Sequence, residues 1–486
     1  MLEPKVWQLT AGSVVVGLSL AAGAVGAAGP WDSGQRKAER DWAVAQSRTG
    51  GAHHDASAPG APAPAPSAAG VLPALDARAA APVDLSADLE KKLGPLMDDG
   101  QLGRTRTASV VDAVTGERLY GRAADKPMTP ASTVKIATAV AALSALGPDH
   151  RIATTVAATP KGRTLTLVGG GDATLDRAGL RALADDTARA LRDRGVTSVK
   201  VGYDTSRYTG PREHSIGPND NIAPVVPLMV EQGRLDKSRN GPAPREKDPA
   251  RGAADAFTGL LRDRGIRVTA APASGRAAKG AKPLARTYSR PLSALVERAL
   301  TESDNDIAES LARQTAIAAH EPASFEGAGR AVTARLGKLR LPLGGTRFAD
   351  GSGLNRKDRA SAALLTALLA RAASPAHPEL RPVLTGLPIA GFSGTLRGRY
   401  GDEAPAAGLV RAKTGTLTGV NTLAGTVVDR RGRLLAFAFM AGSTPEPGAA
   451  QAALDRLSAA LVPKTAPKDT KAPKAPKDPK APPRKP

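Results

Sequence analysis

Leu85, Leu89 and Leu93 recur every fourth residue and so share one face of a helix, a pattern that breaks at Gly94-Pro95. Two strand-like runs, Thr107-Ala108-Ser109-Val110-Val111-Asp112 and Glu117-Arg118-Leu119-Tyr120, flank Val114-Thr115-Gly116 and carry the signature of a hairpin. Thr129-Pro130-Ala131-Ser132-Thr133-Val134-Lys135 then leads into the apolar run 139–146. This predicts a helix with Ser132 in its first turn, stopped by Gly147-Pro148.

Two further strand-like runs between Ile152 and Val168 bracket Pro160-Lys161-Gly162, and the glycine cluster at 169–171 reads as a tight turn. Leu180, Leu183, Thr187 and Leu191 mark a helix ending near Gly195; Val199-Lys200-Val201 and Ile266-Arg267-Val268 read as strands, and 253–264 as a helix. Residues 207–251, rich in Pro, Gly and charge, predict a long irregular excursion over a binding face, and 271–282 a basic loop. Residues 291–320 predict one or two helices interrupted at Ser303-Asp304-Asn305. The turn-rich Asp350-Gly351-Ser352-Gly353-Leu354-Asn355 precedes a helix at 360–373. A second hairpin, 423–428 with 434–440, and a helix at 449–461 close the pattern.

Composition adds bounds. At 486 residues with 41% apolar content the chain can bury a sizeable core, but only 3% is aromatic, so that core must be Ala, Val, Leu and Ile. The formal net charge of +21 attracts polyanions without choosing among them. With no cysteine, disulfides, thiolate metal sites and cysteine nucleophiles are excluded. Residues 1–29 contain an uncharged apolar run and predict a signal peptide or membrane anchor, hence an exported, extracytoplasmic protein. Residues 30–84 read as an Ala/Pro-rich linker, and 464–486 as a disordered Lys/Pro-rich tail. Eight basic and two acidic residues in the tail suit the anionic polymers of a cell envelope. A nucleic-acid partner is not expected, because export and the scarcity of stacking aromatics argue against it.

Candidate chemistry centres on Ser132 and Lys135, three apart on a helix, where a hydroxyl and an amine can come within hydrogen-bond reach. A serine needs such a base to attack a carbonyl, and burial can lower a lysine's pKa enough to serve. Alone this spacing is weak, since Ser is an ordinary helix-start residue and Lys an ordinary surface one. Ser303-Asp304-Asn305 could be only a helix cap and Lys413-Thr414-Gly415 only a strand end. The ordered trio is far more specific, and it is the motif set of the penicilloyl serine enzymes. The six histidines are scattered without metal-ligand spacing, so no metal or other cofactor is expected.

From about residue 104 to 442 the chain resembles the D-alanyl-D-alanine carboxypeptidase/endopeptidase family, the class C low-molecular-weight penicillin-binding proteins. The resemblance rests on the trio with Gly169-Gly170-Gly171-Asp172-Ala173-Thr174-Leu175, Asp306-Ile307-Ala308-Glu309, Asp350-Gly351-Ser352-Gly353-Leu354-Asn355, Ser393-Gly394-Thr395-Leu396 and Thr416-Leu417. It implies an α/β protein of the α+β type: a transpeptidase-like domain, with an antiparallel sheet flanked by helices, split as 85–150 and 285–463 around an inserted subdomain at 151–284. Only 171 residues separate Ser132 from Ser303, so the insertion is expected to be reduced. The resemblance further implies Ser132 as nucleophile, Lys135 as general base, Ser303 and Lys413 as proton relay, and Asn305 on the substrate amide. Thr414, Gly415 and Thr416 would bind substrate, Lys413 adding its positive field, and the N–H groups of Ser132 and Thr416 would form the oxyanion hole.

The expected partners are peptidoglycan stem peptides, with β-lactam antibiotics as inhibitors. Two alternatives stand beside a serine D,D-peptidase. A class A β-lactamase would need a glutamate followed four residues later by asparagine, and none of Glu309, Glu321, Glu326, Glu379 or Glu403 has one. A non-catalytic sensor of wall peptides of the same fold is disfavoured by the intact Ser132, Lys135, Ser303 and Lys413.

Overall fold

The computed structural model describes residues 85–462 apart from Arg430. The expected signal or anchor, the linker and the basic tail lie outside the described residues.

Helix α1 (Leu85–Met97) leads to strands β1 (Thr105–Asp112) and β2 (Arg118–Arg122). A 3₁₀ turn (Ala131–Val134) runs into α2 (Lys135–Leu146). Then come β3 (Ala153–Ala158), β4 (Thr164–Val168), α3 (Arg177–Arg192) and β5 (Ser198–Asp204). After the excursion follow α4 (Pro249–Asp263), β6 (Arg267–Val268), β7 (Ala273–Ser274) and β8 (Lys282–Tyr288). Helices α5 (Leu292–Thr301), α6 (Asn305–Ala318), α7 (Phe325–Lys338), α8 (Ala362–Ala373) and the short α9 (Arg381–Thr385) precede β9 (Arg411–Leu417), β10 (Val420–Val428), β11 (Leu434–Gly442) and α10 (Pro447–Ala459).

The first sheet is antiparallel throughout, in the order β2-β1-β11-β10-β9. Its central strand, Leu-Leu-Ala-Phe-Ala-Phe-Met-Ala-Gly, is apolar at nearly every position because both faces are covered. Phe437 and Phe439 point to the side of Leu89, Leu93, Leu454 and Leu457 on α1 and α10. Ala436, Ala438 and Met440 point to the side of Leu364, Leu365 and Leu368 on α8. The small residues on that second face let α8 approach closely, so few aromatics suffice.

The second sheet, β6-β5-β4-β3-β8 with β7 also on β5, is mixed. Strand β3 is antiparallel to β4 and β8, whereas β4, β5 and β6 run parallel. Parallel neighbours need a crossover, which α3 supplies from β4 to β5 and the excursion with α4 supplies from β5 to β6.

Several elements depart from expectation, among them the short β7 inside the basic loop and the short α9, and three are instructive. Helix α1 continues through Gly94-Pro95 to Met97, because Leu93 and Met97 are both fully buried on one face and Pro95 removes a single backbone bond near the helix end. Strand β8 begins where the expected basic loop ends, in a stretch given no element; it opens Lys-Pro and lies on a sheet edge, with Pro283 beside a register shift of β3, a position where proline is tolerated. Helix α7 is obscured by its glycines. A Cβ on Gly327 would lie 1.9 Å from the Pro322 carbonyl oxygen and one on Gly329 would lie 2.1 Å from that of Phe348.

Candidate active site

Ser132 sits in the 3₁₀ turn one step before α2, entered through Ala131 at φ +49°. Two glycines let neighbouring chain pass this turn. Gly353 has φ +85°, and a Cβ there would fall 2.1 Å from the Ala131 carbonyl oxygen; on Gly415 it would meet the Thr422 hydroxyl at 2.2 Å. Thr422 itself donates to the Pro130 carbonyl at 2.8 Å and so ties β10 to the turn.

Lys135 is fully buried and its Nζ makes three hydrogen bonds: to Ser132 Oγ at 2.9 Å, Asn305 Oδ1 at 2.7 Å and the Ser352 carbonyl at 2.6 Å. Burial away from water lowers its pKa to about 8, while the carboxylates of Asp350, Glu309, Asp304 and Asp358 pull it partly back up. The turn Asp350–Asn355 is therefore a wall of the site rather than a plain connection.

Ser303 occupies the break between α5 and α6 at φ +57°. Its hydroxyl accepts from Lys413 Nζ at 2.9 Å, and that ammonium also donates to the Thr414 carbonyl at 2.7 Å. Lys413 is completely buried on β9, so desolvation, and then the nearby Lys135, hold its pKa well below the usual lysine range. Asp304 caps α6 by accepting from the Ile307 N–H at 3.0 Å. Asn305 donates from Nδ2 to the Asn221 carbonyl at 2.9 Å while its Oδ1 holds Lys135.

All eight residues singled out in the sequence fall in this region. Ser132, Ser303, Asn305, Thr414 and Thr416 line one cavity of about 370 Å³, with Lys135, Lys413 and Gly415 buried in its walls. Thr414 Oγ1 donates to Thr395 Oγ1 at 2.8 Å, which brings in the Ser393–Leu396 stretch. The arrangement offers a hydroxyl beside an amine of depressed pKa, and a second hydroxyl beside a second buried amine on the same cavity. Such a pair of hydroxyl–amine couples can activate a nucleophile and return a proton to a leaving group without a histidine.

Other residues of the site carried no recognisable spacing. The excursion forms the opposite wall, through Asn221, Arg234 and Arg245. Gln232 donates to Asp304 Oδ2 at 2.6 Å, Arg245 pairs with Asp306 at 2.8 Å, and the Ala223 N–H donates to the same Asp306 carboxylate at 2.9 Å. Burial, with Asp304 nearby, pushes Asp306 up to about 6.

Behind Lys135 lies a second buried group. His214 Nε2 and Asp350 Oδ2 are 2.8 Å apart, and Glu309 Oε1 accepts from the N–H groups of Gly351 and Ser352, each at 3.0 Å. Potential ligand atoms of His214, Glu309 and Asp350 lie within 4.8 Å of one another. His214 and Asp350 engage each other and Glu309 engages the loop through Oε1, and the buried Arg313 guanidinium adds positive charge beside Glu309, which suits a structural clamp better than a cation. Burial, and then Asp350, push the Glu309 carboxyl up, against the pull of Arg313 and His214. Glu309 had a legible signal: it follows Asn305 by four residues, on the same face of α6.

The profile of the D-Ala-D-Ala carboxypeptidase 3 (S13) family matches residues 89–243 and 236–461. A carboxypeptidase of Mycobacterium tuberculosis is 37% identical over 427 residues, covering 82% of this chain and 89% of that protein. Carboxypeptidase DacB of Mycolicibacterium smegmatis is 38% identical over 430 residues, 85% of this chain and 91% of that one. Among solved structures, penicillin binding protein 4 of Haemophilus influenzae superposes with a TM-score of 0.64 at 23% identity, covering 77% of this chain and 98% of that one, a likeness of fold. With the motif trio gathered on one cavity and matches that span nearly all the described residues, the chain belongs to the D-Ala-D-Ala carboxypeptidase 3 (S13) family.

Proposed function

We propose that the protein is a serine D,D-peptidase in which Ser132 Oγ attacks the carbonyl carbon between the two terminal D-alanines of a peptidoglycan stem peptide. Lys135, kept partly neutral by burial, takes the hydroxyl proton as the C–O bond forms. The oxyanion faces the N–H groups of Ser132 and Thr416, donors typically worth about 3 kcal/mol each. As the C–N bond breaks, the leaving D-alanine amine receives a proton from Ser303, and the proton that Lys135 took from Ser132 restores that hydroxyl through the relay with Lys413, 2.9 Å from it, so that none is left over. Asn305 aligns the substrate amide, and Thr414 with the field of Lys413 receives the terminal carboxylate. Water then attacks the acyl-enzyme and frees Ser132; an amine in its place gives transfer, and a cross-link amide in place of D-Ala-D-Ala gives endopeptidase cleavage. A β-lactam presents its strained amide to the same hydroxyl.

The observation that carries this reading is the 2.9 Å contact between Lys135 Nζ and Ser132 Oγ inside the family's motif set. Intact-mass spectrometry after addition of benzylpenicillin, with D-alanine release from a D-Ala-D-Ala peptide in parallel, tests it. A persistent adduct on Ser132 with D-alanine released, both absent in Ser132→Ala, is expected. Labelling that persists in that variant would identify another nucleophile, and rapid loss of the adduct with turnover of the antibiotic would make the protein a β-lactamase.

The organisation fits this chemistry. The second sheet, drawn from residues 153–288, is read as the inserted subdomain, and its excursion supplies one wall of the cavity. Export by residues 1–29 would place the enzyme with its substrate outside the membrane. No helix among the described residues is long and apolar enough to cross a bilayer. The basic tail would hold the enzyme to anionic envelope polymers; equal wall retention after its deletion, at low and high salt, overturns that role.

A further inference from the structure

The three hydrogen bonds of Lys135 are not equally secured. Ser132 is its reaction partner and Asn305 is held by Asn221, but the third acceptor, the Ser352 carbonyl, belongs to a turn with no regular backbone ladder. What fixes that carbonyl is a set of buried side chains. Glu309 Oε1 takes both N–H groups of the Gly351-Ser352 pair. Thr138 Oγ1, one turn along α2 from Lys135, donates to the Gly351 carbonyl at 2.8 Å. Asp350 binds the N–H groups of Gly353 at 2.6 Å and Asn355 at 2.7 Å. Of these, Glu309 alone bridges the turn to α6, the helix that presents Asn305 to the same ammonium.

Glu309 is 0% exposed, and its second oxygen, Oε2, has no hydrogen-bond partner among the described residues. Such a carboxylate is costly in an interior, and a leucine would fill the space at far lower expense if packing were all that was required. We propose that Glu309 is a positioning residue for acylation: by holding the Gly351 and Ser352 peptides against α6, it aims the Ser352 carbonyl at Lys135 Nζ and so keeps that amine beside the Ser132 hydroxyl. The effect is one of placement, since a misplacement of about 1 Å at a reacting group can cost about 100-fold in rate. This inference rests on the reading of Lys135 as the base.

Two substitutions separate placement from charge. Glu309→Gln keeps an oxygen where Oε1 stands and loses the charge. Glu309→Asp keeps the charge but withdraws the acceptor by one methylene. The full chain and both variants are acylated with benzylpenicillin, and the acylation rate constant at saturation is resolved from the non-covalent dissociation constant; KM and kcat for a D-Ala-D-Ala peptide follow. Glu309→Asp is expected to lower the saturated acylation rate about 10-fold or more with the dissociation constant and KM little changed. Glu309→Gln should stay within about threefold of the parent. A folded Glu309→Asp enzyme that acylates at the parental rate overturns the proposal, as does a Glu309→Gln enzyme as slow as Glu309→Asp. If Glu309→Asp does not fold, Glu309→Leu, which fills the space but offers no acceptor to the Gly351 and Ser352 N–H groups, is measured with Glu309→Gln. A Glu309→Leu enzyme at the parental rate overturns the proposal, and one slowed at unchanged KM, with Glu309→Gln near parental, supports it. Failure of the underlying reading looks different: the unmodified protein itself would not be acylated at Ser132.

Discussion

Lys413 Nζ stands 2.9 Å from the Ser303 hydroxyl, wholly buried, and among the described residues no carboxylate lies within ion-pair distance of it. Lys135, across the cavity, is also buried but sits in the field of four carboxylates. The two amines are therefore shifted by different surroundings: burial and then Lys135 push Lys413 well below the usual range, whereas burial brings Lys135 to about 8 against the pull of its carboxylates.

Acylation should follow the neutral fraction of Lys135. The rate is expected to rise about tenfold per pH unit on the acid side and to level off above pH about 8. Stability has a matching sign. The unfolded lysine keeps its proton to about 10.5 while the folded one releases it near 8, so the unfolded chain binds more protons between those values and stability rises with pH across them. Stopped-flow acylation from pH 6 to 10 and melting curves over the same range check both, and Lys135→Met should abolish the rate and flatten the stability increase. An acylation rate independent of pH from 6 to 9 would exclude Lys135 as the base.

In the proposed mechanism, removing the Ser303 hydroxyl would break the route from Lys413 to the leaving group. Ser303→Ala is expected to lower kcat for the peptide by about 100- to 10,000-fold, the usual range for a lost proton-transfer group. Non-covalent binding of benzylpenicillin should change little, because the hydroxyl's partner here is Lys413. A variant with unchanged kcat would show that the leaving amine is protonated by another route.

Gly353 cannot carry a side chain. Its φ of +85° and the 2.1 Å approach of a Cβ to the Ala131 carbonyl combine backbone strain with a clash against backbone that cannot swing aside. Gly353→Ala is expected to destabilise the fold by about 2 kcal/mol or more and to displace the Ser132 turn, so that whatever protein folds acylates slowly. Chemical denaturation and the acylation rate, measured together, check it.

Arg245 and Asp306 form a buried pair, with side chains 5% and 2% exposed, that pins the excursion to α6. Arg245→Met strands the carboxylate and should cost about 3–5 kcal/mol, whereas Arg245→Met with Asp306→Asn should recover much of the loss. Asp306 already holds its proton up to about 6 against an ordinary 3.8, so the folded form binds more protons in that window and stability falls as pH rises through it. In Arg245→Met the fall should extend to higher pH, a shift that melting curves between pH 4 and 8 would reveal.

Much of the first sheet was legible because its signals are local. The hairpin around Val114-Thr115-Gly116 and the apolar run of β11 declare themselves by composition and turn residues, and Ser132 and Lys135 meet because three residues on a helix bring two side chains to one face. Strand β8 and helix α7 were not legible. Pro283 and the glycines at 327 and 329 are unfavourable within such elements on their own, and what justifies them is an edge position or a neighbouring carbonyl that approaches only in the folded chain.

The site divides in the same way. By itself the sequence determined the candidate groups, their order along the chain and the spacing of three between Ser132 and Lys135 and of four between Asn305 and Glu309. Tertiary structure alone decided that Lys413 reaches Ser303 from 110 residues away, that the Ser352 carbonyl completes the Lys135 contacts, and that the irregular excursion clamps Asp304 and Asp306 from behind. Burial is a property of the whole packed chain, and burial is what shifts both lysines, so their chemistry could be named from the sequence but set only by the fold.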